Sequence, residues 1–275
     1  MQKRFIVNTF KGIVQKLFFG LTVIFIINSC APGGPQAFNA FSLQDDIAFG
    51  QQLSQEIANS PKEYPLLDRT RYAKAYQILE DMKNEILNSG YVSHKDDFEW
   101  KLHIIHNDTT LNAFVSPGGY IYVYTGLIKY LDTEDQLAGV MGHEIAHAER
   151  RHSTTNMTKQ YGLAALIEII SGQNTSQLSQ LVGGLIGLKF NRTTEADADA
   201  QSVLYLSKTK YQCNGAAGFF EKLLSEGNAQ EPPQFLSTHP SSANRVQDIN
   251  AKATEMGCST KPSGSNYQLL KNSIP

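Results

Sequence analysis

Basic residues are too few in this chain to mark a nucleic-acid partner. Its 275 residues include 24 lysines and arginines against 26 aspartates and glutamates, a formal net charge of −2. Lys3, Arg4, Lys11 and Lys16 all fall in an N-terminal segment without a single acid, so the rest of the chain is net acidic and carries no basic stripe. Long apolar runs are missing too. No segment beyond the N-terminus offers the roughly 18 uninterrupted apolar residues that read as a membrane helix, so the apolar stretches near 154–171 and 176–190 are expected as core or cleft-lip helices. A repeat of solenoid period is absent. Cysteine is scarce, at three, and with Cys30 set apart near the N-terminus only Cys213 and Cys258 can pair. The length suffices for one large domain with a substantial core.

The N-terminus has its own pattern. The basic residues precede an eleven-residue apolar run, Leu17–Ile27, which ends at Asn28-Ser29-Cys30. That run fits the core of a signal peptide and is short for a membrane span. Small residues before a cysteine resemble a bacterial lipobox, although Ile27 stands at the usual leucine position. Residues 1–29 are therefore expected to be removed as a lipoprotein signal peptide, with lipid on Cys30 and residues 30–42 as a flexible tether through Ala31-Pro-Gly-Gly-Pro35. The competing reading is an uncleaved anchor helix. An acylated N-terminus would hold the protein to a membrane surface. In such an oxidising compartment Cys213 and Cys258 read as a disulfide, the alternative being two buried thiols.

What the chain does have is the run His143-Glu144-Ile145-Ala146-His147. On an α-helix, positions i and i+4 lie about 40° apart and roughly 6 Å along the axis, so two imidazoles can bind one ion. Glu144 sits at the edge of that face, where it can reach a water, the place of a general base. HExxH on a helix reads as a zinc-dependent peptidase; the bland reading is two core histidines and a glutamate met by chance. The flanks favour a helix. Gln136 follows Thr133 by three residues as in a capping box, and Glu134 and Asp135 bring negative charge to the first turn. Leu137, Val140, Met141, Ile145 and Ala148 keep helical spacing, and Arg150, Arg151 and His152 close the C-terminal end. This predicts an amphipathic helix buried on its metal side.

A catalytic zinc takes three protein ligands and leaves a fourth position open. Glu195 is the best candidate for the third. It opens a second helical segment, Glu195-Ala-Asp-Ala-Asp-Ala200, behind the cap types Thr193 and Thr194, with Asp199 at i+4 on the same face. Asp199 suits a carboxylate that holds a ligand imidazole in its metal-binding tautomer. The alternative is an acidic first turn complementing the helix dipole, and Asp197 is read as doing only that.

The remaining pattern is coarse. Residues 44–58 and 69–88 have helical periodicity, and strand-like runs follow near 98–106, 111–116 and 120–124, with Pro117-Gly118-Gly119 as a turn. Gly183 and Gly187 permit a close helix contact. His94, His103 and His106 lack ligand spacing and read as surface or sheet residues; His152 lies about 140° from His147 on the helix wheel and serves the helix end or supports the site from behind. The fold class is α+β, predominantly helical, with a small sheet beside the HExxH helix.

HEIAH, the later EADAD, the run from Asn112-Ala113-Phe114 to Thr125-Gly126, and Thr238-His239-Pro240-Ser241 occur together in an order that resembles the gluzincin metallopeptidase family M48, over roughly residues 45–256. The resemblance implies a zincin-like domain, 43–258 with a tail 259–275, and one zinc ion held by His143, His147 and Glu195, with Glu144 as catalytic carboxylate. It implies a substrate lying along a sheet edge formed by Asn112, Ala113 and Phe114; the plainer reading is a buried strand. It places His239 near the zinc, either in the open coordination position or stabilising an oxyanion, with Arg245 supporting the oxyanion or a carboxylate ligand. On residues alone these are a loop histidine and a surface arginine. Prenyl proteases of the family are multi-span membrane proteins, and those spans are lacking here. The chain is similar to the small bacterial outer-membrane lipoprotein peptidases, which implies endopeptidase action on misfolded or unassembled envelope proteins, facing the periplasm. Two other classes stay open: an assembly factor or chaperone-like binding module whose zinc site is normally blocked, and an inactive scaffold, against which the intact Glu144 argues.

Overall fold

The computed structural model describes residues 39, 41–172, 177–226, 234–240 and 244–275. The expected signal peptide, Cys30 and nearly all of the expected tether lie outside them, as does Ser241. At the tether's end Phe41 is buried and Ser42 caps the first helix, its hydroxyl accepting from Asp45 N. No helix among the described residues is long and apolar enough to cross a membrane.

In chain order the elements are α1 (Leu43–Asn59), α2 (Ala73–Leu87), β1 (Leu102–Ile105), β2 (Ala113–Ser116), β3 (Tyr120–Tyr124), α3 (Thr125–Tyr130) and α4 (Glu134–Glu149). Then come α5 (His152–Tyr161), α6 (Leu163–Ile170), α7 (Leu178–Ile186), α8 (Arg192–Leu206), α9 (Gly215–Ser225), α10 (Gln234–Thr238), α11 (Arg245–Met256) and α12 (Tyr267–Lys271). The sheet has the order β1-β3-β2, with β1 parallel and β2 antiparallel to β3. Pro117-Gly118-Gly119 joins β2 to β3 in a 3-10 turn, where Gly118 and Gly119 take φ of 73° and 87°, conformations open to glycine. The two-residue period of a strand divides the sheet's faces. Leu102, Ile104, Ala113, Val115, Ile121 and Val123 join the main core around α4. Ile105, Phe114, Tyr120, Tyr122 and Tyr124 point the other way, into a second core with α1 and the α5–α7 segment.

Helix α4 departs from the amphipathic expectation: of its residues only Gln136 escapes burial. The reason lies in its small residues. A Cβ at Gly139 would stand 2.0 Å from Ala216 N of α9, and one at Gly142 would stand 2.7 Å from Ser202 Oγ of α8. Ser202 Oγ donates to Gly139 O at 2.9 Å, so α8 and α9 lie against α4 nearly backbone to backbone. The expected helix 154–171 is two helices broken at Gly162, whose φ is 82°. The close helix contact expected at Gly183 and Gly187 falls instead on Gly184, where Tyr161 Oη occupies the place of a side chain.

Residues 259–275, expected as a tail beyond the domain, pack onto it. Tyr267 Oη donates to Ile128 O at 2.8 Å, and Leu270 and Ile274 are buried. Cys213 and Cys258 are joined by a disulfide across 45 residues, and the loop it closes contains His239 and Arg245.

Candidate active site

The chemistry-bearing side chains come from α4, α8, the end of α10 and the start of α11. Helix α4 begins at the capping box read from the sequence: Thr133 Oγ1 accepts from Gln136 N at 3.2 Å, and Gln136 Oε1 accepts from Thr133 N at 3.2 Å. Helix α8 is capped by Asn191, whose Oδ1 accepts from Thr193 N and Thr194 N at 2.9 and 3.0 Å. The expected caps Thr193 and Thr194 thus lie inside the first turn, since the Asn191 side chain, two residues before Thr193, outcompetes them.

Four side chains converge: among the described residues, His143, His147, Glu195 and His239 place one ligand atom each within 4.8 Å of the others, all buried. His143 Nε2 lies 3.0 Å from His147 Nε2 and 3.2 Å from His239 Nδ1; Glu195 Oε1 lies 3.2 Å from His147 Nε2 and 3.0 Å from His239 Nδ1. Ring nitrogens so close cannot all be donors, and they point at one spot. Arg245 Nη2 lies 2.9 Å from Glu195 Oε2 but off the hydrogen-bonding direction, which leaves that buried oxygen unpartnered. Imidazole nitrogens plus a carboxylate oxygen with unmet acceptor capacity fit a divalent ion such as zinc.

The supports divide by imidazole. Asp199 Oδ1 sits 2.8 Å from His143 Nδ1, which keeps the hydrogen on Nδ1 and frees Nε2. Arg245 grips the same carboxylate twice, Nε to Oδ2 at 2.6 Å and Nη2 to Oδ1 at 2.8 Å. Arg245 is buried, and its carboxylate hydrogen bonds go to Asp199 behind His143 and not to the ligand candidate Glu195. Behind His147 stands His152, its Nδ1 3.0 Å from His147 Nδ1. Asp197, read as serving only the helix dipole, instead bonds Arg150 and His152.

Charge follows burial and partners. Burial pushes Glu144 up to about 7, because nearby His239 offsets only part of the desolvation. Burial works the same way on Glu195, but His239 and His143, with hydrogen bonds from His147 and His239, hold it well below the usual carboxylate range. His147 is depressed by burial. His239 goes up despite burial, facing Glu195 and Glu144. Its ring lies between Phe190 and Phe235, with centroids at 5.2 and 4.3 Å.

Asn112 precedes β2, and both polar atoms of its buried side chain lack partners. Ala113 and Phe114 are buried, the Phe114 ring stacking on Tyr122 at 4.6 Å. Strand β2 is an edge of the sheet, and Phe114 and Val115 line a narrow cleft with Glu144, Ser153 and His239. A larger hollow of about 300 Å³ between α8 and α11 touches Glu195 and Arg245 but not Glu144, so the narrow cleft is where Glu144 can act. His94 bonds Asp97 at 2.9 Å and His103 stacks on Tyr122, both outside the cluster. Sequence reasoning missed Ser153 in the narrow cleft, which carries no motif signal.

Comparison with known proteins agrees with this geometry. Residues 74–253 match the model of Peptidase family M48. Over 163 residues the chain is 36% identical to mitochondrial metalloendopeptidase OMA1 of Schizosaccharomyces pombe, covering 58% of this chain and 48% of that protein. Over 201 residues it is 31% identical to the β-barrel assembly-enhancing protease of Escherichia coli, covering 67% and 41%. The chain spans about half the length of the curated relatives it matches.

Proposed function

Because this chain belongs to peptidase family M48, we propose that it is a zinc-dependent endopeptidase in which His143, His147 and Glu195 hold the ion and Glu144 is the catalytic carboxylate. The observation that carries this reading is the buried convergence of three imidazoles and Glu195 beside Glu144. A zinc ion held there would act as a Lewis acid and bring a water's pKa toward about 7.

The protein's own groups do the rest. Glu144, raised to about 7 by burial, takes a proton from the attacking water at a carboxylate oxygen and returns it to the leaving amine. Arg245 holds the Asp199 carboxylate and Asp199 fixes His143, so this imidazole is oriented before substrate arrives. The outer edge of β2, with the Asn112 amide, would bind an extended peptide through main-chain hydrogen bonds, which tolerates many sequences.

The biological reading is an enzyme of the bacterial envelope acting on misfolded or unassembled proteins, with residues 1–29 as leader and Cys30 as lipid anchor facing the periplasm. The lipobox-like Asn28-Ser29-Cys30 and the name of the Escherichia coli relative support it. One observation favours a second reading, an assembly factor or chaperone-like binder with a blocked site: His239 Nδ1 stands among the ligand atoms.

Glu144→Gln tests the main reading, since it keeps shape and zinc and removes the proton acceptor. Cleavage of an unfolded test protein should be lost in the variant and in chelator-treated wild type. Wild-type turnover in the zinc-loaded variant would overturn the chemistry.

A further inference from the structure

We propose that His152 and Asp197 set the tautomer and direction of His147, as a relay from a carboxylate through one imidazole to another. The proposal rests on His147 holding the metal, as read above. His147 sends Nε2 into the cluster and Nδ1 to His152 Nδ1 at 3.0 Å. Two ring nitrogens at that distance share one hydrogen. Nε2 of His147 must be bare to hold a cation, so its hydrogen lies on Nδ1 and His152 Nδ1 accepts it. The hydrogen of His152 is then on Nε2, 3.3 Å from Asp197 Oδ2. Asp197 Oδ2 also accepts from Arg150 Nε at 2.8 Å, which holds the carboxylate in place. Each imidazole of the HExxH helix is thus backed by a carboxylate and an arginine, directly for His143 and through His152 for His147.

The backbone is bent to make this contact. On an unbroken helix His152 would point about 140° away from His147. Instead α4 ends at Glu149, and Arg151 takes φ 58° and ψ 31°, a left-handed conformation uncommon for any residue but glycine. That single residue starts α5 at His152 and swings the imidazole back over His147. The Arg151 side chain is clamped from α1's end of the molecule: it is bonded to the buried Asp46, and Nη2 donates to Phe41 O at 2.6 Å and Ser42 O at 3.0 Å. Thr154 Oγ1 donates to the other oxygen of Asp46 at 2.7 Å. A strained turn held by this many bonds has its outcome at His152.

The test is zinc affinity, by chelator competition, for wild type, His152→Phe, His152→Gln and Asp197→Asn, with the visible spectrum of each cobalt(II)-loaded protein. Phenylalanine keeps a ring but accepts no hydrogen, and should weaken zinc binding about 10- to 100-fold and shift the cobalt bands. Glutamine offers an amide oxygen to His147 Nδ1 and should stay within about threefold, with wild-type bands. Asp197→Asn should weaken binding several-fold while circular dichroism is unchanged. The relay is overturned if His152→Phe binds like wild type, or if Phe and Gln weaken zinc alike, as a packing role would have it. Should His152→Phe not fold, Asp197→Asn decides, and an unchanged affinity there overturns the proposal. A wild-type protein that binds no zinc would instead strike the metal reading itself.

Discussion

Removing the Cys213–Cys258 bond by Cys213→Ala with Cys258→Ala should lower stability without changing the catalytic centre. In the chain-entropy account a cross-link acts on the unfolded chain, and a closed loop of 45 residues is worth about 4 kcal/mol. The loop contains His239 and Arg245, yet each is held in the native state by contacts of its own. Phe190 N donates to Thr238 O at 3.0 Å, Phe235 N donates to Leu111 O at 3.1 Å, and Arg245 is locked to Asp199. The native site therefore survives the loss of the bond, whereas the unfolded chain gains freedom. With an m-value near 3 kcal/mol/M, the urea midpoint followed by circular dichroism should fall by roughly 1.3 M. Zinc affinity and kcat, measured where the variant is fully folded, should match wild type. A midpoint shift below about 0.3 M would refute the entropic reasoning, because it corresponds to less than about 1 kcal/mol. A folded variant with reduced kcat would show that the cross-link shapes the native site.

Other outcomes follow from the same contacts. His103 is pushed down to about 4 by burial and by Arg69, below the ordinary 6.5. The unfolded chain therefore takes up the proton first, and stability complete above pH 6.5 should fall by about 3 kcal/mol as pH drops to 4, a slope that His103→Phe should remove in urea titrations. Gly139→Ala, which drives a methyl into Ala216 N, should cost about 3 kcal/mol or prevent folding, and an unchanged melting curve would contradict the packing of α4 on α9. Glu195→Gln should weaken zinc binding, and equal metal content after dialysis would return Glu195 to a structural role. His239→Ala separates two mechanisms by sign. If His239 blocks the ion, basal proteolysis rises; if it stabilises the oxyanion, kcat falls on the order of a hundredfold, and an unchanged rate sinks both.

The legible part of this site is the part written within one helix. His143, Glu144 and His147 share a turn, so their spacing alone sets their geometry, and the Thr133–Gln136 box marks where that turn begins. Glu195 and Asp199 are legible for the same reason on α8, though the cap lies at Asn191. His239 and Arg245 are not. They meet His143 from 96 and 102 residues away, and nothing in their local spacing encodes that approach; the resemblance to the family supplied it. The burial of α4 on all sides was hidden likewise, because it depends on α8 and α9 pressing against Gly139 and Gly142 from far along the chain.

For His152 the sequence left two readings open, the helix end or a support behind the site, and the structure puts it behind His147. A wheel position predicts where a side chain points only while the helix runs on, and a break is ordinarily announced by glycine or proline. Here the break is made by Arg151, whose left-handed backbone is stabilised by bonds to Phe41, Ser42 and Asp46, more than a hundred residues earlier. The local sequence contains the strained residue and not the clamp, so it cannot announce the turn. The same separation says where the site is sensitive: a change at Asp46, far from the ligands in sequence, should release Arg151 and with it the direction of His152. Weakening the zinc site through Asp46→Ala without touching any ligand is what this geometry requires, and unaltered zinc affinity in that variant would mean the turn holds itself.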